Sequence, residues 1–219
     1  RAGTPLLYDV SNAIGAIRTK NSQLNAWSDT LNADVIETYA EKMIGCSSCI
    51  VHCRARNKLG GEGPEYSAIG LLGANLGIEN PAHVIELNNI CNELGLDISS
   101  SGTILGWVFE LYERGIIGMR MTGEKLRFGD FELVKGLLHK ISRREGFGDV
   151  LAESTRNVGR FGKESEDYLI AVKGLPQSDP HDVRYVKAFA LGIATASRGA
   201  DHLRSRPTLE TLFKLPKEA

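Results

Sequence analysis

The 219-residue sequence predicts an all-α fold, an irregular multi-helix domain with at most a short β-hairpin. Apolar residues recur at helical spacing along most of the chain, capping residues and glycines bracket these stretches, and alternating apolar and polar runs are scarce. A hydrophobic share of 42% and a charged share of 24% are typical of a globular protein with a substantial core. The formal net charge of -1 argues against nucleic acid as the main partner, and no apolar run approaches the ~18 residues of a membrane helix.

Local start and stop signals predict the elements in order. Caps are predicted at Asp29, Asn80, Asp130 and Asp149, and helix ends at Gly45, Gly77, Gly95 and Gly115. The helices that follow from these signals lie at about 30–44, 64–76, 81–94, 102–114, 131–141, from 150 onward, and 184–197. A short hairpin is predicted with strands at 119–121 and 126–128.

A composition shift predicts one domain boundary. Pro176 and Pro180 interrupt the stretch 173–182, which separates a first helical domain at 1–172 from the start of a second at 173–219. The last residues show no terminating pattern, so we expect the chain to be a segment of a longer protein.

Three of the four cysteines form the strongest motif. Cys46, Cys49 and Cys53 read C-x-x-C-x-x-x-C within eight residues. Thiolates that are close in sequence can face one centre when the loop wraps around it, and iron–sulfur clusters use such runs with a fourth cysteine from elsewhere. Zinc, with His52 as a fourth ligand, is the competing metal, although ligation by the adjacent His52 and Cys53 would be strained. Either metal indicates a reducing compartment, so a cytoplasmic location is expected.

Cys91 is the remaining cysteine. It lies on the apolar side of the predicted helix at 81–94, where a small core residue is the favoured interpretation over a fourth ligand.

Four strings in a fixed order carry a resemblance to a known family. They are the cysteine run, GPEY at 63–66, NELGLDIS at 92–99 and RGADHL at 198–203. With REGFG at 144–148 and VKG at 172–174, they resemble the tungsten-dependent aldehyde:ferredoxin oxidoreductase family over nearly the whole chain.

The resemblance implies an enzyme in three parts. An N-terminal β-rich domain would bear a tungsten or molybdenum bis-pterin, and two mostly helical domains would cover it. The activity implied is oxidation of aldehydes to carboxylic acids, with ferredoxin or another electron-transfer protein as acceptor. This chain would be the first helical domain and the start of the second, inactive by itself.

The resemblance implies binding roles for the residues that match the family's motifs. Cys46, Cys49 and Cys53 match three ligands of a 4Fe–4S cluster whose fourth cysteine lies outside this chain. Asn92, Leu96 and Asp97 match a pterin-binding motif, in which Asn92 replaces an acidic residue. Carboxylate and amide oxygens there could accept hydrogen bonds from a pterin's amino groups. Without the resemblance, a helix cap is the commoner role for Asp97.

Two further residues match catalytic positions. Glu65 and His202 are implied to lie near the metal and substrate, where such a pair can share acid–base work. Without the resemblance, Glu65 reads as a solvated first-turn carboxylate and His202 as a structural histidine. Glu86 and His139 match positions that hold a metal between subunits in some relatives, so a homodimer is among the partners implied.

Three alternatives from other classes remain open. One is a cluster-plus-pterin oxidoreductase of the formate dehydrogenase type, which uses the same cysteine spacing in a mixed α/β chain. Another is a non-catalytic zinc-binding helical module. The third is a degenerate relative that serves as a partner subunit.

Overall fold

The computed structural model describes residues 3–203, and over this range the chain is mostly helical, which confirms the predicted fold class. The strands of the described residues form two antiparallel pairs, β1 (Ala40–Ile44) with β2 (Arg54–Asn57) and β3 (Ala171–Val172) with β4 (Leu175–Pro176). None of the helices described is long and apolar enough to span a bilayer.

Nine α-helices follow one another along the described chain, and single-turn helices join some of them. The α-helices are α1 (Leu6–Ala13), α2 (Ala33–Thr38), α3 (Tyr66–Ala68), α4 (Pro81–Leu94), α5 (Ile98–Glu113), α6 (Met119–Thr122), α7 (Phe131–Arg143), α8 (Phe147–Ala152) and α9 (Lys187–Thr195). Helix α3 continues as a π-helix and then a 3-10 helix, and further 3-10 helices cover Asp29–Leu31, Ser154–Phe161 and Lys163–Tyr168.

Helix α5 is the centre of the core. Every residue from Ser101 to Leu111 is buried, so this part of the helix has no solvent-facing side. The helical stretch from α3 to Leu76 packs against it because two α5 glycines permit a close approach. A Cβ atom on Gly102 would lie 2.7 Å from the carbonyl oxygen of Leu71, and one on Gly106 would lie 2.4 Å from Nδ2 of Asn75.

Several predicted helix ends are confirmed. The Asn80 side chain accepts a hydrogen bond from the Ala82 N–H at the start of α4, and Gly95 ends that helix in the left-handed conformation. Asp130 caps α7 by accepting from the N–H of Leu133 at 3.1 Å. Helix α5 begins at Ile98 rather than near residue 102, because Asp97 caps it.

The predicted helix at 30–44 is wrong in its second half. Asn32, not Asp29, caps α2, which ends at Thr38. The chain then enters β1, whose backbone groups pair with those of β2, ten or more residues later in the chain. Helical periodicity is read from a short window of sequence, so it contains no information about a strand partner outside that window.

The predicted hairpin at 119–128 and the cap at Asp149 are also wrong. Residues 119–122 form the single turn α6, in which the N–H of Gly123 donates to the carbonyl of Met119 at 2.8 Å. These local bonds satisfy the backbone without a partner strand. Helix α8 begins at Phe147, before Asp149, whose carboxylate instead pairs with Arg144 at 2.9 Å.

The segment at the predicted domain boundary lies against the N-terminal part of the chain. The N–H of Arg18 donates to the carbonyl of Pro180 at 2.7 Å, and the N–H of Asp182 donates to the carbonyl of Ala16 at 2.8 Å. Helix α9 adds a small apolar cluster of Phe189 and Ile193 around Ala16. The division at residue 172 stays a prediction.

Candidate active site

The three clustered cysteines lie on the loop at 45–53, which joins β1 to β2. Cys46 is exposed, and Cys49 and Cys53 are half-buried. The loop folds back on itself, because the N–H of Cys49 donates to the carbonyl of Cys46 at 3.0 Å. Only glycine fits at Gly45, since a Cβ atom there would lie 2.8 Å from the carbonyl oxygen of Cys49. One accessible loop therefore presents all three thiols.

The donor set of this loop suits an iron–sulfur cluster chemically but is incomplete as described. Three thiols on one loop match the ligand type of such clusters. Within residues 3–203, no three Cys, His, Asp or Glu side chains are arranged around a point that could hold an ion. Cys91 supplies no fourth ligand here: it is fully buried in the core, and burial raises its pKa to about 12. The prediction that Cys91 is a core residue is confirmed.

The stem of the cysteine loop is tied to helix α4. Arg54 and Arg56 form ion pairs with Glu62 at 3.1 and 3.8 Å. The carbonyl of Glu62 accepts from Nδ2 of Asn88 at 2.9 Å and from Nδ2 of Asn92 at 3.5 Å. The loop is thus connected to the helix whose last turn carries the first residue of the predicted pterin motif.

The predicted pterin residues lie together at the α4–α5 turn. Asn92 is exposed, and after Gly95 the N–H of Leu96 donates back to the carbonyl of Cys91 at 2.8 Å. Asp97 is exposed and caps α5, since its Oδ2 accepts from the N–H of Ser100 at 2.7 Å. Asp97 therefore fills the helix-cap role through Oδ2.

A cavity of about 140 Å³ opens beside this turn. Leu96 and Asp97 form part of its wall, and residues of α5, α7 and α8 complete it. A volume of this size accommodates a portion of a cofactor rather than all of one, because whole-ligand pockets are typically ~300–1,000 Å³.

Different neighbours position Glu65 and His202. Glu65 is exposed and directly precedes α3, and the next residue, Tyr66, donates its N–H to Oγ1 of Thr4 at 3.2 Å. Thr4 in turn donates its N–H to the carbonyl of Cys53 at 3.2 Å. These two hydrogen bonds connect Tyr66, the residue after Glu65, to Cys53 at the end of the cysteine loop.

His202 is linked instead to the start of α5. Its Nδ1 lies 2.9 Å from Oγ of Ser178, and the carbonyl of Ser178 accepts from Oγ of Ser99 at 3.0 Å. Ser99 is two residues beyond Asp97, so His202 reaches the predicted pterin turn through two hydrogen bonds. Within residues 3–203, no hydrogen bond joins His202 to Glu65 directly.

A buried polar network behind Glu65 was not recognised from the sequence. The hydroxyl of Tyr66 lies 2.9 Å from Oγ of Ser11 and 3.0 Å from Nδ1 of His181, and Nε2 of His181 lies 3.5 Å from Asp179. By itself, the string D-P-H-D at 179–182 predicts only a turn. The partners of His181 are 115 and 170 residues away in the chain, so no local signal points to this network.

These features together describe a helical domain in which Glu62 connects the strand after the three-cysteine loop to α4, and in which a cavity opens at the α4–α5 turn. The family model for aldehyde ferredoxin oxidoreductase, domains 2 and 3, matches residues 1–218. The chain belongs to the aldehyde ferredoxin oxidoreductase family.

Individual relatives agree with this assignment. A tungsten-containing aldehyde ferredoxin oxidoreductase of Pyrococcus furiosus is 35% identical over 213 residues, and one of Pyrococcus abyssi is 37% identical over 216 residues. These matches cover 93% and 92% of this chain but 35% of each relative. The chain thus spans about a third of the length of the curated relatives it matches.

A solved structure shares the fold. The active site complex BamBC of benzoyl coenzyme A reductase superposes with a TM-score of 0.61 and 24% identity, covering 74% of this chain and 26% of that one. This likeness concerns the fold alone.

Proposed function

We propose that this chain is the cluster-bearing helical segment of a tungsten bis-pterin, 4Fe–4S enzyme that oxidises aldehydes to carboxylic acids and passes the electrons to ferredoxin. The observation that carries the proposal is that Glu62 connects β2, the strand that follows the cysteine loop, to α4, the helix that leads into the α4–α5 turn. A cluster and a pterin must lie close together for electrons to pass between them. The family match over residues 1–218, with relatives that are named as tungsten-containing, supports the tungsten cofactor of this proposal.

Each predicted residue has a defined task in this proposal. Cys46, Cys49 and Cys53 would hold the cluster as thiolates, with a fourth ligand from outside this chain. Asn92 and Asp97 orient a pterin by hydrogen bonds, with Leu96 supplying apolar contact. When bound, the metal–pterin group would supply the acceptor for the two electrons that the aldehyde loses.

Glu65 and His202 carry the proton chemistry. Conversion of an aldehyde and water into a carboxylic acid releases two protons and two electrons. The Glu65 carboxylate is exposed and able to accept a proton from water as it adds to the carbonyl carbon. The imidazole of His202, oriented by Ser178, hydrogen-bonds the developing oxyanion or relays the second proton. The domain boundary near residue 172 and a homodimeric assembly belong to the same proposal.

The decisive experiment measures cofactors and turnover in the full-length protein. Tungsten, molybdenum, iron, zinc and acid-labile sulfide are quantified beside aldehyde-dependent reduction of ferredoxin. Iron with sulfide and tungsten, together with turnover, supports the proposal. Zinc without sulfide would indicate the non-catalytic module instead.

A matched pair of variants assigns the cluster. Cys49→Ala should remove the low-temperature electron spin resonance signal of the cluster, because one of its thiolate ligands is lost. Cys91→Ala, a core position, should retain the signal at some cost in stability. An unchanged spectrum in Cys49→Ala would refute the assignment of the loop.

A further inference from the structure

A second cavity, larger than the one at the pterin turn, lies near the N-terminal part of the chain. Its volume is about 620 Å³, within the range of small-molecule sites. None of the residues assigned to the cluster, the pterin or the acid–base pair lines it. Its wall includes Arg18, Asn21, Glu110, Gln177 and Asp182.

Arg18 is the unusual member of this wall. Its side chain is only 1% exposed, and Nη1 makes a long contact of 3.4 Å with Oγ1 of Thr103. Its Nε and Nη2 atoms are buried without any hydrogen-bond partner. A buried guanidinium is costly when its donors are unpaired, so two such donors indicate a missing acceptor. Burial lowers the pKa of Arg18 to about 10, which still leaves it charged at neutral pH.

The two unpaired nitrogens define the shape of that acceptor. In a guanidinium, the N–H bonds of Nε and Nη2 are parallel and lie along one edge, which is the arrangement that binds both oxygens of a carboxylate at once. An acceptor with two oxygens about as far apart as those of a carboxylate fits this edge.

The neighbouring charges select a monoanion. Glu110 is already paired with Arg114 at 2.7 Å, and Asp182 is paired with Arg184 through both carboxylate oxygens. Asp167 also lines the wall, and Asp182 and Asp179 act on the charge of Arg18, so three carboxylates of the wall already stand against its three arginines. A dianion would add a second negative charge beside Glu110 and Asp182, which is unfavourable.

Asn21 supplies a complementary acceptor. Its Nδ2 donates to Oε2 of Glu110 at 2.7 Å and to the carbonyl of Tyr168 at 2.8 Å, which fixes the orientation of the amide. Its Oδ1 is buried and has no donor. A ligand that carries a hydroxyl group besides its carboxylate can satisfy this oxygen.

We infer that this cavity binds a small hydroxylated monocarboxylate, held by the Nε–Nη2 edge of Arg18 with Asn21 accepting from its hydroxyl group. The exposed Gln23 and Arg184 on the rim leave an entrance. The inference does not rest on aldehyde oxidation, since binding requires no turnover and no cofactor.

Calorimetric titration of the full-length protein with glycolate tests the site. Glycolate should bind, whereas its neutral analogue glycolamide should bind at least tenfold more weakly, because the charged two-point contact is lost. Inorganic phosphate, largely a dianion at pH 7.5, should also be weaker. Equal binding of glycolate and glycolamide, or no binding of glycolate, would overturn the inference.

Two further measurements locate the ligand. Arg18→Lys keeps the charge but lacks the planar edge, so glycolate affinity should fall roughly tenfold. Arg127→Lys, on an exposed ion pair with Asp130, is the matched control and should bind as the wild type does. Unchanged affinity in Arg18→Lys contradicts the site. If that variant does not fold, a crystal structure of the wild type soaked in glycolate tests the site. Electron density for glycolate away from Arg18 would refute the assignment.

Discussion

Replacement of Gly106 by alanine should destabilise the protein strongly, because α5 has no room for a methyl group at this position. The new Cβ would lie 2.4 Å from Nδ2 of Asn75. Asn75 is fully buried, donates to the carbonyl of Gly102 at 2.8 Å and accepts from the N–H of Asn21 at 3.1 Å. The side chain cannot retreat without breaking both bonds.

The magnitude follows from three contributions. Overpacking a close-packed core costs ~1–3 kcal/mol, and loss of a buried hydrogen bond costs ~1–3 kcal/mol. Alanine recovers ~1 kcal/mol through its higher helix propensity. The expected net loss is about 1–5 kcal/mol of unfolding free energy, or roughly 2–20 °C in melting temperature for a domain of this size.

The assay is urea unfolding and thermal melting followed by circular dichroism, with Gly136→Ala as the control. Gly136 lies inside α7, and a Cβ atom there meets nothing within 4 Å. The control should therefore be up to ~1 kcal/mol more stable than the wild type. If Gly106→Ala is as stable as Gly136→Ala, the account of α5 packing is wrong.

Two further predictions concern the candidate site, and a third concerns the core residue Cys91. Glu65→Gln and His202→Asn should each lower aldehyde turnover by ~10²–10⁴-fold with unchanged metal content, and wild-type turnover in both would contradict their roles. Asp97→Asn should keep the cap of α5 and lose the charge toward the pterin. Asp97→Ala should lose the cap as well, so its unfolding free energy should be ~1 kcal/mol lower than that of Asp97→Asn. Equal stability of the two variants would argue against the cap. Iodoacetamide at pH 8 should leave Cys91 unmodified in the native protein and modify it in denaturant. The reason is that burial raises the pKa of Cys91 to about 12. Modification in the native protein would contradict this burial.

Most helix ends could be predicted from local signals. Asn80, Gly95 and Asp130 act through hydrogen bonds or backbone angles within a few residues of themselves, so a short window of sequence contains the whole interaction. The two interpretations of Asp97 illustrate the limit, since the residue is a cap in the structure and its role toward a pterin stays a proposal.

The candidate site could be predicted in composition but not in arrangement. The cysteine spacing and the α4–α5 turn motif are visible in the sequence, since each occupies only a few consecutive residues. Their connection through Glu62 depends on the side chains of Arg54 and Asn88, which lie on separate elements.

Tertiary structure alone decided the features whose partners are far apart in the chain. Residues 40–44 follow a helical period yet form a strand, because a pairing partner at 54–57 satisfies their backbone groups. His181 became part of a network with Ser11 and Tyr66, which approach it only after folding. The unpaired Nε and Nη2 atoms of Arg18 could not be predicted from the sequence either. A side-chain nitrogen is known to lack a hydrogen-bond partner only when all neighbouring atoms have been placed. Propensity acts between neighbours, whereas burial and hydrogen-bond satisfaction are properties of the assembled core.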